Sequence, residues 1–270
     1  MDFKPFTLIA FITFSIYHAM DFNFLNTFLF HPRKSHQLIG NNDILIDVET
    51  EIHVGIRLYI ESKESPTILF FHGNGEIVTD YDDIGQVYNQ KNINFIISDY
   101  RGYGFSNGSP NSKNILADAD KIFNFIIKKL KNENYTGSLF IMGRSLGSTC
   151  AIELTNRYPD LSQGLIIESG FADENPLFSL IGTTAEQIGF SKDDGFLNGE
   201  KIKNYKGKLL IIHATEDHII PFNQGEILLN NCPSKNKALI PISNANHNNI
   251  LSVNINKYFE VIENFIGKDN

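Results

Sequence analysis

Short, nearly unbroken apolar runs alternate with amphipathic stretches along most of this chain. The runs at residues 67–71, 93–97, 139–142, 164–167, 208–212 and 237–241 are too short for buried helices and carry almost no polar face. That pattern predicts strands covered on both sides, the signature of a parallel sheet. Between them, helices are predicted at about 80–91, 113–131, 146–158, 224–231 and 253–266. In the second of these Ile115, Ala119, Ile122, Phe123, Ile126 and Leu130 recur at helical spacing and mark a core face. Upstream, residues 43–60 hold two strand-like runs around a polar turn at 49–51, and the second alternates apolar and polar positions. An antiparallel hairpin at one edge follows from that alternation. The predicted fold class is therefore α/β, a mostly parallel central sheet with an antiparallel N-terminal hairpin, helices on both faces and one irregular insertion.

Two intervals break the rhythm. Residues 6–20 are the most apolar stretch, within an N-terminal segment of residues 1–30, and Asp2 offsets Lys4 ahead of them. Three readings stand side by side: a membrane anchor that is short for the roughly 20 residues a span needs, a signal peptide without a convincing cleavage site, and a helix packed on the domain or lying upstream of a start at Met20. Membrane association through residues 6–20 and a cytoplasmic location are both left open. The second interval, residues 172–207, stands where a single helix would suffice. It is expected to be helical over about 175–189, after Pro176, and then polar with two glycines. Insertions of this kind often serve as lids, and this one is expected to form a small cap on a domain spanning residues 43–266.

Composition narrows the function classes. The 270 residues are 42% hydrophobic and 20% charged, enough for one large domain. The formal charge of -8, with dispersed Lys and Arg, argues against nucleic acid as a partner. Cys150 and Cys232 form no disulfide framework and read as small buried side chains. No metal-binding or nucleotide-binding motif stands out, so no cofactor and no metal are expected.

The chemistry centres on residues 139–153. Gly143, Ser145 and Gly147 spell G-x-S-x-G between a predicted strand and a predicted helix. This is the setting of a nucleophile elbow, a turn so tight that side chains at the two glycines would strike the neighbouring strand and helix. A serine hydroxyl needs a base and a group that orients the base. His247, in an asparagine-rich loop after the last strand, is the candidate base. Asp217, after the preceding strand, is the candidate orienting acid, with Glu216 its nearest rival and Glu168 and Asp173 weaker ones. Two oxyanion donors are expected: the backbone NH of Leu146, at a helix start whose dipole favours negative charge, and an NH from the turn His72-Gly73-Asn74-Gly75. Asn74 is preferred there, with Gly75 as runner-up. His72, His213 and His218 are read as structural. Residues 99–106 are read as a buttressing turn in which Arg101 pairs with a carboxylate.

Taken together, His72-Gly73-Asn74-Gly75, the 99–106 turn, the elbow at Ser145, Asp217 with Pro221 four residues later, and His247 resemble the α/β-hydrolase superfamily in its Ser, Asp, His order. The resemblance covers about residues 43–266 and is closest to small serine hydrolases with an H-G-N-[AG] turn and a D-x-R-G-x-G-x-S loop. That group includes membrane-tethered eukaryotic enzymes, some of which remove palmitate from protein cysteines, and many bacterial members. The cysteine-rich N-terminus of the palmitate-removing enzymes is not seen here, so that substrate is not supported. Ala214 and Asn244 stand where the family often has glycine, and Asn tolerates left-handed backbone.

The resemblance implies a serine hydrolase acting on an ester or thioester with an apolar acyl group, through an acyl-enzyme. The implied partner is a small-molecule or lipid-like acyl substrate, and the oligomeric state stays open. Phe171, Phe178, Phe190 and Phe196 are expected to contribute an apolar pocket. A serine peptidase of the same fold, and a non-catalytic binding protein, are the alternatives.

Overall fold

The computed structural model describes residues 29–191 and 195–267, so the apolar run at 6–20 lies outside the described residues. Eight strands form one sheet: β1 (Asp43–Glu49), β2 (Ile52–Tyr59), β3 (Thr67–Phe71), β4 (Asn94–Ser98), β5 (Leu139–Arg144), β6 (Gly164–Glu168), β7 (Lys208–Ala214) and β8 (Lys237–Ile242). Their order is β1-β2-β4-β3-β5-β6-β7-β8. β1 pairs antiparallel with β2, and β2 with β4; every later pairing is parallel. The apolar runs from β3 to β7 become the buried centre, whereas the run at 237–241 becomes β8, an edge strand that is mostly half-exposed rather than covered on both faces; at the other edge lies β1, with β2 largely buried inside it.

The period of two sends neighbouring residues of each central strand to opposite faces. Leu69 and Phe71 of β3, with Ile141 of β5, join one core cluster. That face is covered by α2 (Ser112–Asn132) and α3 (Gly147–Arg157) through Ile122, Phe123, Cys150 and Ile152. Ile68 and Phe70, with Phe140 and Met142, join the other cluster. There α1 (Asp82–Gln90) supplies Tyr88, and α8 (Ile255–Ile266) supplies Tyr258, Phe259 and Ile262. Each such side chain stabilises the fold by about 1.5–3 kcal/mol on burial. Cys150 and Cys232 are both buried, free thiols.

The predicted last helix is α8, beginning two residues later than expected at Ile255 with the Asn254 side chain accepting from Lys257 NH as its cap, and a separate short helix, α7 (Ile250–Val253), precedes it. The insertion departs further from expectation. Its first helix, α4, covers only Asn175–Leu180; a four-residue helix, α5 (Asn198–Lys201), follows before β7, and α6 (Asn223–Asn231) comes after β7. Gly182 stops α4: at φ +71° it takes the left-handed conformation while its NH bonds to Ser179 O and the Thr183 NH bonds to Phe178 O. Those two bonds are the Schellman closure, which satisfies the last helical carbonyls and turns the chain away. Among the described residues no helix is long and apolar enough to cross a membrane.

Candidate active site

β5 ends at Arg144 and α3 begins at Gly147, leaving two residues to reverse the chain. Ser145 takes φ +51°, a left-handed conformation costly for a residue with a side chain. The flanking glycines have a steric cause. A Cβ at Gly147 would stand 2.0 Å from Phe71 O at the end of β3, and one at Gly143 would stand 2.2 Å from Gly147 O. The turn is held by the Ser145 NH donating to Glu168 O at 2.9 Å and by Ser148 Oγ donating to Ser145 O at 2.6 Å.

The structure brings the three candidate side chains together above the carboxyl ends of the strands. His247 Nε2 lies 3.0 Å from Ser145 Oγ, and His247 Nδ1 lies 2.7 Å from Asp217 Oδ2. All three residues are buried. Asp217 Oδ1 accepts from the NH groups of Ile219 and Ile220, which fixes the carboxylate's orientation. Burial alone would raise the Asp217 carboxyl; the hydrogen bond from His247, with that from the Ile220 NH, helps to outweigh it and hold the group below the usual carboxylate range. An ionised Asp217 requires the Nδ1 proton of the ring, so Nε2 is left as the acceptor facing the serine.

The rival carboxylates are placed elsewhere. Glu216 is exposed, and Asp173 is half-buried at the start of the insertion. Glu168 is buried against Arg144 and Tyr258. His72 Nε2 sits 3.2 Å from Asp99 Oδ1, His213 Nε2 meets Ile220 O at 2.9 Å, and His218 is exposed. Burial lowers the pKa of His213, which keeps it neutral beside Asp217. Asn244 takes φ +60°, the left-handed geometry that its side chain tolerates in place of glycine.

The turn after β3 stands beside the elbow. Asn74 and Leu146 both line the cavity that contains Ser145. Among the described residues neither backbone NH donates to a protein acceptor. The 99–106 turn braces this region: Tyr100 Oη donates to His72 O at 2.5 Å, Tyr103 Oη donates to Asn74 Oδ1 at 2.7 Å, and the Val78 NH donates to Asp99 Oδ1 at 3.0 Å. Arg101 turns away to Asp118 and Glu49, at 2.5 and 2.7 Å.

A buried polar cluster next to the triad escaped the sequence reading. Arg144, the residue between Gly143 and Ser145, donates from Nη2 to His247 O at 2.6 Å, from Nη1 to Glu76 Oε1 at 2.5 Å and from Nε to Glu168 Oε1 at 3.0 Å. Glu76 in turn accepts from Gly73 NH at 2.7 Å and Tyr81 Oη at 2.6 Å, and Glu168 accepts from Tyr258 Oη at 2.5 Å. One guanidinium thus ties the elbow to the base loop and to the turn that holds Asn74. Burial works to raise both carboxyls. At Glu168 burial wins and the pKa is raised, whereas at Glu76 Arg144 and the Tyr81 hydrogen bond prevail and it is lowered. The only sequence signals were Glu168 as a rival acid and the position of Arg144 inside the motif.

The cavity over Ser145 has a volume of about 460 Å³, within the usual range for small-molecule sites. Leu146, Leu177, Leu180, Ile181 and Ile219 give it an aliphatic wall. Of the four phenylalanines expected there, Phe171 alone is among the lining residues. Phe196 packs edge-on against Phe171 at 6.1 Å, and Phe178 packs against Phe190 at 4.8 Å, so these rings stabilise the insertion.

A family model described as serine aminopeptidase, S33, matches residues 62–189. Alpha/beta hydrolase domain-containing protein 17B of Xenopus laevis is 30% identical over 213 residues, covering 75% of this chain and 67% of that protein. The Homo sapiens protein of the same name is 29% identical over 215 residues, with the same coverage. An esterase of Pyrococcus furiosus superposes with a TM-score of 0.71 at 13% identity, covering 88% of this chain and 98% of the esterase. A soluble variant of monoglyceride lipase from Saccharomyces cerevisiae superposes at 0.67 with 16% identity, covering 89% and 98%. At such identities the two structures establish a shared fold and no more. The fold, the family match and the identity to the 17B proteins place this chain in the α/β-hydrolase superfamily, in the family of alpha/beta hydrolase domain-containing protein 17.

Proposed function

We propose that this protein is a serine hydrolase that cleaves an ester or thioester with an apolar acyl group. The observation that carries the reading is the continuous Asp217–His247–Ser145 hydrogen-bonded chain, 2.7 and 3.0 Å long, ending in a partly aliphatic cavity. Ser145 Oγ attacks the carbonyl carbon as its proton passes to His247 Nε2, and Asp217 holds the ring and stabilises the imidazolium. The carbonyl oxygen gains the negative charge, and the NH groups of Asn74 and Leu146 receive it. Collapse of the tetrahedral intermediate expels the alcohol or thiol, which takes the proton from Nε2. Water, deprotonated by the same nitrogen, then attacks the acyl-serine and releases the acid. Leu177, Leu180, Ile181 and Ile219 accept the acyl chain, with residues 172–207 acting as a cap over residues 43–266.

The S33 description of the matching family model favours a second reading, an aminopeptidase. Such an enzyme needs an anion free to hold the substrate's ammonium group. Glu76 is the one carboxylate among the described lining residues, and Arg144, Tyr81 and Gly73 already occupy it. The ester reading is therefore preferred. Attachment to a lipid surface through residues 6–20 belongs to the same proposal: Leu29, the first described residue, lines the cavity, so an anchor there would hold the site near acyl substrates. Comparing the membrane fractionation of the full chain with that of residues 20–270 tests this part.

The test is a series of p-nitrophenyl esters of increasing chain length beside aminoacyl p-nitroanilides. Hydrolysis that rises with acyl length and is abolished in Ser145→Ala supports the proposal. Preferential cleavage of the anilides would move it to the peptidase reading, and no turnover of either with an unlabelled Ser145 under a fluorophosphonate probe would make the chain a binding protein.

A further inference from the structure

Residues 29–35 cross the turn that carries Asn74 and bind it at both ends. Leu29 and Phe30 are anchored in the core. The His31 NH donates to Asn74 Oδ1 at 2.8 Å, and Tyr103 Oη donates to the same oxygen. With that oxygen doubly engaged, Asn74 Nδ2 is the donor to His31 Nδ1, 2.8 Å away, which leaves the ring proton of His31 on Nε2. Arg33 Nε donates to Gly75 O at 3.1 Å while its guanidinium pairs with Asp80. Downstream, the Gly104 NH donates to Arg33 O at 2.8 Å and the Ser35 NH to Gly104 O at 3.2 Å, which joins the segment to the 99–106 turn.

The base of the turn is held by the Gly73 NH donating to Glu76 Oε2 and by His72 Nδ1 against Gly73 O, both at 2.7 Å, but the tip beyond Asn74 is less constrained. Gly75 sits at φ +76° with no atom within 4 Å of where a Cβ would stand, and the bond from Glu76 NH to Gly73 O is long, at 3.4 Å. A glycine in open space at positive φ is a pivot rather than a brace. An oxyanion donor is effective only within about 2.7–3.1 Å of the developing charge, so the tip needs an external clamp.

We propose that residues 29–35 are a strap that sets the oxyanion turn, with His31 and Arg33 as positioning residues for the Asn74 NH. The proposal rests on the hydrolase reading above. A released turn still admits substrate through the aliphatic wall but meets the transition state poorly, so the loss appears in kcat and not in KM.

The test uses the full chain with a p-nitrophenyl ester, measuring kcat, KM and thermal melting for His31→Ala, Arg33→Ala, Arg33→Lys and Asn74→Ala. Leu38→Ser, beyond the strap and highly exposed, is the control. His31→Ala and Arg33→Ala are expected to lower kcat about tenfold each with KM near the parent value, and their combination about 10²-fold. Asn74→Ala, which keeps the NH but loses its side-chain anchor, reproduces the loss, and Arg33→Lys recovers part of it. Parent-like kcat in Asn74→Ala and in the strap variants would overturn the proposal, as would a loss that appears in KM alone. Turnover by Ser145→Ala would instead overturn the hydrolase reading and leave the strap without a reaction to serve.

Discussion

Arg144 Nη2 donates to the main-chain carbonyl of His247 at 2.6 Å, joining the residue before the candidate nucleophile to the residue that bears the candidate base. The bond fixes the loop carrying His247 from below, while Asp217 fixes the ring from the side. Because the same guanidinium also holds Glu76 and Glu168, the separation of Ser145 and His247 depends on a side chain that contacts no reacting atom.

Substitution of Arg144 separates positioning from folding. Arg144→Lys keeps the charge but cannot serve three acceptors in the guanidinium's planar geometry. We expect kcat to fall by about 10²-fold through misplacement of His247, with a smaller change in KM, in steady-state ester hydrolysis. An unchanged kcat would mean that the loop is held without Arg144.

The elbow glycines predict a steric contrast. Gly147→Ala would drive a methyl onto the backbone oxygen of Phe71, 2.0 Å away, and neither strand nor helix can yield cheaply. A destabilisation of about 3 kcal/mol is expected. Gly189→Ala meets no atom within 4 Å and carries only the cost of its φ of +67°, about 1–2 kcal/mol. Chemical denaturation of the two variants, read by circular dichroism, measures the difference.

Acid sensitivity follows from two carboxyls. Asp217 and Glu76 are both held below their ordinary range in the folded protein, against the upward effect of burial. A depressed folded pKa contributes stability above the unfolded value, about 4, and that contribution is lost as pH falls through the folded value. Through these two groups the melting temperature is expected to drop as pH falls below about 4, with Glu168, whose carboxyl is raised by burial, acting in the opposite direction. Glu76→Gln should start from a lower melting temperature but fall less steeply on acidification.

Filling the aliphatic wall should alter chain-length selectivity. Leu177→Phe adds volume within the cavity, from the helix that lines it together with Ser145. Turnover of the longest p-nitrophenyl esters is expected to fall by about tenfold relative to the acetate, since methylene-scale changes in an apolar pocket are worth about 1–3 kcal/mol. Equal loss across the series would place the acyl chain elsewhere.

The sheet was legible because its signal is local: four or five mostly apolar residues flanked by turns predict a strand without knowledge of the neighbours. The elbow was legible for the same reason, as Gly143, Ser145 and Gly147 lie within five positions. His247 is 102 residues from Ser145, and only the order of motifs brought the two together on paper. The Arg144 cluster had no such guide, with Glu76 68 residues away and His247 103. The helix in the insertion was overestimated because its apolar pattern continues past Leu180, while the left-handed turn at Gly182 ends it. Aromatic residues near the insertion were read as pocket, yet Phe178 and Phe196 are buried by packing on other rings.

The central claim is that Ser145 carries the acyl group, and intact-protein mass spectrometry of rapidly quenched reactions with a p-nitrophenyl ester tests it most directly. The expected result is a transient mass increase equal to the acyl group, located on the peptide containing Ser145 and missing from Ser145→Ala. Hydrolysis by Ser145→Ala at the parent rate, or an acyl group found on another residue, would contradict it.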